Sequence, residues 1–180
     1  MPRRRKRTTS NREGHLLALR LEAPPPLSTL CLGLVGGSVV SLRFLDEKAP
    51  APEGANSVAS KLGALDREVL ELATQELQDF LQGRRRHFQT PVNISTSTEF
   101  QQRVWEMLRQ VPWGETISYS ELARRAGSPH AARAVGGCMR QNPVPLFVPC
   151  HRVLASDGTL GGYSAGLERK RALLRLEGVL

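Results

Sequence analysis

The sequence predicts an α/β protein of the α+β kind, built in two parts, and three observations carry that expectation. The first half holds three short apolar runs of strand length followed by one long amphipathic helix. The second half holds helices with marked starts and stops, two of them spaced as a helix-turn-helix. The 180 residues, 40% hydrophobic and 23% charged, suit packed domains and exclude a disordered or fibrous chain.

HLLALRLE (15–22), STLCLGLV (28–35) and SVVSLRFL (38–45) read as strands, and Gly36-Gly37 turns the last two into a tight hairpin. KAPAPEGANSVAS (48–60) reads as a loop. In LDREVLELATQELQDFLQG, Val69, Leu70, Ala73, Leu77, Phe80 and Leu81 fall on one helical face, with Asp66 as the expected N-cap and Gly83 as the stop. RRRHFQTPVNIS (84–95) reads as the linker between the halves. Beyond it, Thr96 and Glu99 fit a capping box ahead of a helix carrying Phe100, Val104, Met107, Leu108 and Val111, which Pro112 and Gly114 end. Ser118 and Glu121 repeat that spacing ahead of SELARRAG, which stops at Gly127. Ser128 is then expected to cap PHAARAVGGCMRQ, with Pro129 at its first position. The expected division is a basic tail at 1–11, an N-terminal α/β domain at 12–90 and a C-terminal helix-turn-helix domain at 91–180.

The formal net charge of +8 favours a polyanionic partner, nucleic acid before membrane. Part of it is the run PRRRKR at 2–7, a solvated tail, a nuclear address or a phosphate-binding arm. No stretch approaches the roughly 20 apolar residues of a membrane span, and the basic start lacks the apolar core of a secretory signal. Cys31, Cys138 and Cys150 are odd in number and widely spaced without a CxxC pair, which argues against a disulfide framework and for a reducing compartment. Cys31, His15 and His87 are too scattered to make a metal site. The expected location is cytoplasmic, or nuclear in a eukaryote.

On the last helix of the helix-turn-helix, Arg133, Gly136, Gly137 and Arg140 share one side, while Ala134, Val135, Cys138 and Met139 supply core contacts. A glycine inside a helix costs about 1 kcal/mol relative to alanine, so two of them point to the close approach of another backbone. DNA across this face or a packed helix both meet that description.

Cys31 and Cys138 lie in apolar settings and read as small buried hydrophobes. Cys150 differs: Pro149 precedes it, and His151 and Arg152 follow, so nearby positive charge favours its thiolate. A buried structural thiol and a nucleophile both remain open on these residues. Neighbours on an extended chain point to opposite faces, so His151 would act through a water, with a carboxylate behind it to fix its tautomer. Glu177, Glu168, Asp157 and Glu121 all remain candidates for that carboxylate.

FQQRVWEMLRQVPWGETISYSELARRAG, then AARAVGGCMRQNPVP, PCHRV, GGYSAGL and LLRLEG, spanning about residues 97–178 in order, resemble the O6-alkylguanine-DNA alkyltransferase family of direct-reversal repair proteins. The resemblance implies a ribonuclease-H-like first domain and a winged-helix-like second domain that joins DNA binding to the active site. It implies a single-turnover methyltransferase that flips O6-alkylguanine, and O4-alkylthymine, out of duplex DNA. The alkyl group then passes irreversibly to Cys150. His151 is implied to take the thiol proton through a water, Glu177 to orient it and Asn142 to bridge the recognition helix to the acceptor loop. Arg133 is implied to fill the gap in the duplex, with Gly136, Gly137 and Arg140 on the DNA face, and Tyr119 to turn the nucleotide and donate to the base. Gly161, Tyr163 and Ser164 are implied to line the pocket, Val148 and Val153 to read the base through their carbonyls, and Lys170 to stand near the pocket rim. No cofactor, no metal and a monomer acting on alkylated duplex DNA follow from the same resemblance. Gly162 departs from it, standing where many members carry asparagine. Two competing classes are a lesion-binding module, which lacks the acceptor cysteine, and a plain helix-turn-helix regulator, which leaves PCHRV and GGYSAG unexplained.

Overall fold

The computed structural model describes residues 15–21, 24–27, 29–45 and 62–180; the expected basic tail and most of the 48–60 loop's flanks, with the loop itself, lie outside them. Strands β1 (His15–Arg20), β2 (Thr29–Leu34) and β3 (Val39–Phe44) form an antiparallel sheet in that order. β2 is its central strand, and Leu30, Leu32 and Leu34 are wholly buried while Cys31 is nearly so. Val35 and Ser38 exchange backbone hydrogen bonds across Gly36 and Gly37. Both glycines have positive φ, 56° and 77°, the conformation that a two-residue hairpin loop demands and side chains resist.

Helix α1 (Ala64–Leu81) turns Val69, Ala73, Leu77, Phe80 and Leu81 into the core, as its periodicity predicts. Asp66 is not its N-cap. The helix starts earlier, at Gly63, and Asp66 in the first turn accepts a hydrogen bond from the Gly37 amide, which fastens the hairpin to the helix. The long apolar face extends back to Leu62, and this outweighs the local capping preference.

Glu76, a charged residue that the apolar periodicity does not mark, is wholly buried within α1. Its carboxylate accepts from the Gln89 amide, the Thr90 amide and the Thr90 hydroxyl at 2.7–3.0 Å, and Arg85 pairs with it at 2.9 Å. The 84–95 linker is therefore held against α1 over part of its length by one carboxylate. It also covers the sheet edge: Val39 donates to Pro91 and Asn93 donates to Val39, both at 2.9 Å.

Helix α2 (Glu99–Arg109) begins with a full capping box, but the pair is Thr98 and Gln101, not Thr96 and Glu99. Both pairs satisfy the same four-residue pattern, and the register taken buries Val104, Trp105 and Leu108. The Trp105 indole donates to the Cys138 carbonyl at 3.1 Å. Strand β4 (Ile117–Ser118) leads directly into α3 (Tyr119–Arg125), where Ser118 caps the Glu121 amide as expected. Helix α4 (Ala132–Arg140) starts later than predicted, with Ala131 and not Ser128 at its cap. Ser128–Ala131 close a separate turn, so Pro129 precedes the helix. Val135, Cys138 and Met139 face inward, whereas Ala134 is exposed and not a core contact.

Cys150–Arg152 make one turn of 3-10 helix, followed by β5 (Val153–Leu154) and α5 (Leu167–Leu176). β5 pairs in parallel with β4, Ile117 opposite Val153 and Ser118 opposite Leu154. This short pairing places the start of α3, and so Tyr119, beside the turn carrying Cys150. Arg169 on α5 donates to the Pro26 and Leu45 carbonyls and lies 5.5 Å from the Phe44 ring centroid, which joins the last helix to the sheet.

Because Glu76 is buried and saturated with donors, Glu76→Gln places an amide against two backbone N–H groups and strips Arg85 of its partner. A cost of about 2–4 kcal/mol is expected in urea denaturation. The exposed Glu68→Gln on the same helix should stay within about 0.5 kcal/mol of the parent. Equal midpoints for the two variants would show that Glu76 pins nothing.

Candidate functional site

The acceptor candidate sits at the end of an irregular approach. After α4, the Asn142 side chain caps its own turn by accepting from the Val144 amide at 3.0 Å. Leu146 then takes φ 75°, a left-handed conformation that is costly for a branched side chain and is found at tightly determined sites. The Leu42 amide on β3 donates to the Pro143 carbonyl at 2.7 Å, so the sheet anchors this loop. Asn142 Nδ2 spans the turn it begins, donating to the Val148 carbonyl at 2.8 Å and to Cys150 Sγ at 3.1 Å.

Cys150 is 2% exposed and lines a cavity of about 120 Å³ with Tyr119, Met139, Arg140, Tyr163 and Ser164, and with the backbones of Gly136 and Gly162. Burial pushes its thiol up to about 11, against the hydrogen bond from Asn142, which pulls it down. The thiol is therefore protonated at neutral pH, and attack on an electrophile requires a base.

His151 is wholly buried and its Nε2 lies 2.8 Å from Glu177 Oε1. Glu177 accepts also from Arg152, through Nε at 2.9 Å and Nη2 at 2.8 Å, and from the Gly114 amide at 3.2 Å. Burial pushes this carboxylate up, but the hydrogen bonds and charges of His151 and Arg152 prevail and hold it at about 2. An ionised Glu177 accepts only, so Nε2 carries the imidazole proton and Nδ1 presents a lone pair. Among the described residues, Nδ1 is buried without a hydrogen-bond partner. Burial also lowers the His151 pKa more strongly than Glu177 raises it, which keeps the ring neutral.

Gly114 has φ 77°, and a Cβ there would come within 3.2 Å of the Glu177 carbonyl, so glycine is required on both counts. Of the four carboxylates open to sequence reasoning, only Glu177 reaches the histidine. Glu121 is tied to Arg124 and Arg125, Asp157 to Thr159, and Glu168 lies 3.7 Å from Arg171.

The GGYSAG loop forms the opposite wall. The Tyr163 hydroxyl is buried facing the thiol without completing a hydrogen bond among the described residues, and burial raises its pKa well above 10. Tyr119 is half-buried and also raised by burial, with the Gly162 backbone bonding its hydroxyl. Gly161 does not line the cavity itself: a Cβ there would meet the Tyr119 ring at 3.2 Å, so its bareness lets the tyrosine pack. Gly162 does line it, and nothing stands within 4 Å of a Cβ built there.

Lys170 is not at the rim. It is wholly buried beneath the loop, donating to the carbonyls of Val153 at 2.6 Å, Gly162 at 3.4 Å and Leu160, and burial lowers it to about 8. Three ammonium donors meet three carbonyls. Val148 and Val153 lie behind the cavity lining; the Val148 carbonyl accepts from both Asn142 Nδ2 and the Cys150 amide at 2.8 Å, which occupies its two lone pairs, and the Val153 carbonyl accepts from Lys170. Arg133 is exposed on α4, as is Arg140, and Gly136 and Gly137 lie between them, half-buried. Among the described residues no cluster of three or more metal-ligating side chains occurs, and no helix is long and apolar enough to cross a membrane.

Comparison with known proteins agrees with this geometry. Residues 99–179 match the family model described as 6-O-methylguanine DNA methyltransferase, DNA binding domain. A methylated-DNA–protein-cysteine methyltransferase of Mycobacterium bovis is 47% identical over 152 residues, 84% of this chain and 87% of that one. An inducible protein of the same name from Bacillus subtilis is 44% identical over 112 residues, 62% of each chain. Among solved structures, the Mycobacterium tuberculosis O6-methylguanine methyltransferase superposes with a TM-score of 0.72 at 36% identity, over 92% of this chain and 93% of that one. The structure of M. tuberculosis OGT in complex with DNA gives 0.73 at 36% identity, over 91% and 93%. The mixed α/β fold is thus shared over nearly the whole length, and the chain belongs to the methylated-DNA–protein-cysteine methyltransferase family.

Proposed function

We propose that this protein repairs duplex DNA by moving an alkyl group from O6 of guanine, and from O4 of thymine, onto Cys150, once per molecule. The observation that carries the reading is a protonated thiol at the wall of a base-sized cavity, next to a neutral histidine whose free lone pair is fixed by a buried carboxylate. Family membership and the relatives' printed activity support it. The DNA complex of the M. tuberculosis relative supports duplex DNA as partner.

In this reading Cys150 Sγ attacks the alkyl carbon in line, the carbon–oxygen bond breaks, and its electron pair stays on the base. The thiol proton passes through a water to His151 Nδ1, while Tyr119 and Ser164 donate to the base as it takes on charge. Asn142 holds the sulfur and Val153 offers its carbonyl to the base edge, while the Val148 carbonyl, filled by Asn142 and the Cys150 amide, holds the acceptor turn instead of reading the base. Lys170 positions the pocket loop from below. Arg133 enters the duplex where the nucleotide has left, and Gly136 and Gly137 let the backbone of α4 approach the DNA, with Arg140 at a phosphate. The product is a thioether with no easy return path, so the molecule is spent. The reading takes the β1–β3 part as the ribonuclease-H-like domain and residues 91–180 as the winged-helix-like domain, working as a monomer in a reducing, cytoplasmic setting where the free cysteines persist.

The direct test is intact mass after mixing with an O6-methylguanine duplex. One added methyl mapping to Cys150, absent from Cys150→Ala, is expected; unchanged mass with DNA still bound would make the protein a lesion-binding module. Arg133→Ala is expected to slow reaction with duplex DNA far more than with free O6-benzylguanine, and equal losses would remove Arg133 from nucleotide flipping.

The pH profile tests the proton path. A rate limited by free thiolate climbs about tenfold per pH unit toward 11, whereas transfer through neutral His151 is level between the two pKa values. Reaction with free O6-benzylguanine is expected to be level from about pH 7 to 9 and to fall in acid. A tenfold rise per unit across that range would rule out the histidine as base.

A further inference from the structure

A second cavity, of about 170 Å³, lies on the other side of the acceptor turn, and the alkyl-transfer reading does not use it. Pro149 and Arg152 line it, while Cys150 between them lines the first cavity. Its remaining polar wall holds Arg86 and His87 from the linker, Arg109 from the last turn of α2, and Gln110. No carboxylate lines it. Neither Arg86 nor Arg109 has an ion pair or a side-chain hydrogen bond among the described residues.

The three arginines come from three separate elements, each held by a specific contact. Glu76 pins the linker at Gln89 and Thr90, just past Arg86, and Phe88 stacks edge-on against Phe147 at 4.7 Å. Arg152 is 5% exposed and fixed by Glu177. Its Nη1 donates to the Val111 carbonyl at 2.6 Å, engaging an acceptor at the cavity wall that would otherwise repel an anion. A guanidinium has five N–H donors. Nε and one hydrogen on each terminal nitrogen are engaged by Glu177 and Val111, so two donors of this buried group have no partner among the described residues.

Arg86 and Arg109 bring two charges without an ion pair to a wall that holds no carboxylate, Arg152, itself paired with Glu177, adds unengaged N–H donors, and planar forks with paired donors suit the oxygens of a phosphate. We propose that this cavity is a phosphate-binding site formed by Arg86, Arg109 and Arg152, separate from the alkyl-acceptor cavity. Its volume holds one phosphate group with room for an ester substituent. The phosphate comes either from solution, as inorganic phosphate or a phosphate monoester, or from the backbone of a nucleic acid strand.

Inorganic phosphate titrated into the full-length protein, followed by calorimetry at constant ionic strength with chloride exchanged for phosphate, tests the site. Saturable binding at one site per chain is expected. The double variant Arg86→Gln/Arg109→Gln, altered only at exposed positions, should weaken it by about tenfold or more. Arg103→Gln, exposed on the same helix as Arg109, should leave it unchanged. Absence of saturable binding, or equal affinity in the double variant and the parent, would overturn the proposal, as would an equal loss in Arg103→Gln. Repeating the titration with unmodified duplex DNA already bound separates the sources. Phosphate displaced by DNA, with a flatter salt dependence of DNA binding in the double variant, assigns the site to the strand backbone. Phosphate bound equally well with DNA present assigns it to a free phosphate; both outcomes support the site.

Discussion

The active half of this protein depends on one buried carboxylate. Taking a carboxylate out of water costs several kcal/mol, and the cost is recovered only where donors meet it closely. Glu177 is met by the His151 imidazole, the Arg152 guanidinium and the Gly114 amide, which belong to the acceptor turn and to the loop after α2. As the C-cap residue of α5, it also fixes where the last helix ends. One side chain thereby sets the distance between three segments far apart in sequence, and it sets the histidine tautomer by the same contact. Chemistry and architecture share that constraint, so a residue lost from the clamp leaves a charge buried and a base misdirected together.

The same device recurs wherever the chain is irregular. Glu76 collects the amides of Gln89 and Thr90, and Lys170 collects the carbonyls of Val153, Leu160 and Gly162. Arg169 ties the carbonyls of Pro26 and Leu45 to α5. The functional side chains lie on a turn and a loop that lack the repeating hydrogen bonds of helix or sheet. A buried ion with several backbone partners supplies the missing order, and its desolvation cost makes the geometry specific. The short β4–β5 pairing alone would not hold Tyr119 opposite Tyr163.

This also explains what was legible in the sequence. Apolar periodicity gave α1, α2 and the strands, and the Gly36-Gly37 pair gave the hairpin, because burial and positive φ leave direct marks on residue type. Cap positions were less legible. Thr96-Glu99 and Thr98-Gln101 present one pattern in two registers, and only tertiary burial of Val104, Trp105 and Leu108 chooses between them. Glu76 was hidden, as was the burial of Lys170, because a single charged residue on an amphipathic helix has the same signature whether it meets water or a ring of backbone groups. Local chemistry left four carboxylates open behind His151. The family motifs favoured Glu177, and its 2.8 Å contact with the imidazole gives that preference a physical basis.

Burial acts on the two central groups in opposite directions and to one end. It raises the Cys150 thiol to about 11 and lowers His151, so both stand neutral at physiological pH. A thiol with that pKa is ionised in only about one molecule in ten thousand at pH 7, which guards it against oxidation and stray electrophiles. A thiol that accepts one alkyl group and is then spent, as proposed for Cys150, gains from such latency, because every adventitious reaction removes a molecule from use. The base needed to overcome it is already aligned, with Glu177 fixing the proton on Nε2 and leaving Nδ1 free. In the proposed reaction, reactivity is thus tied to a substrate that fills the cavity between Tyr119, Tyr163 and Ser164, where the alkyl carbon would meet the sulfur and the proton would have somewhere to go.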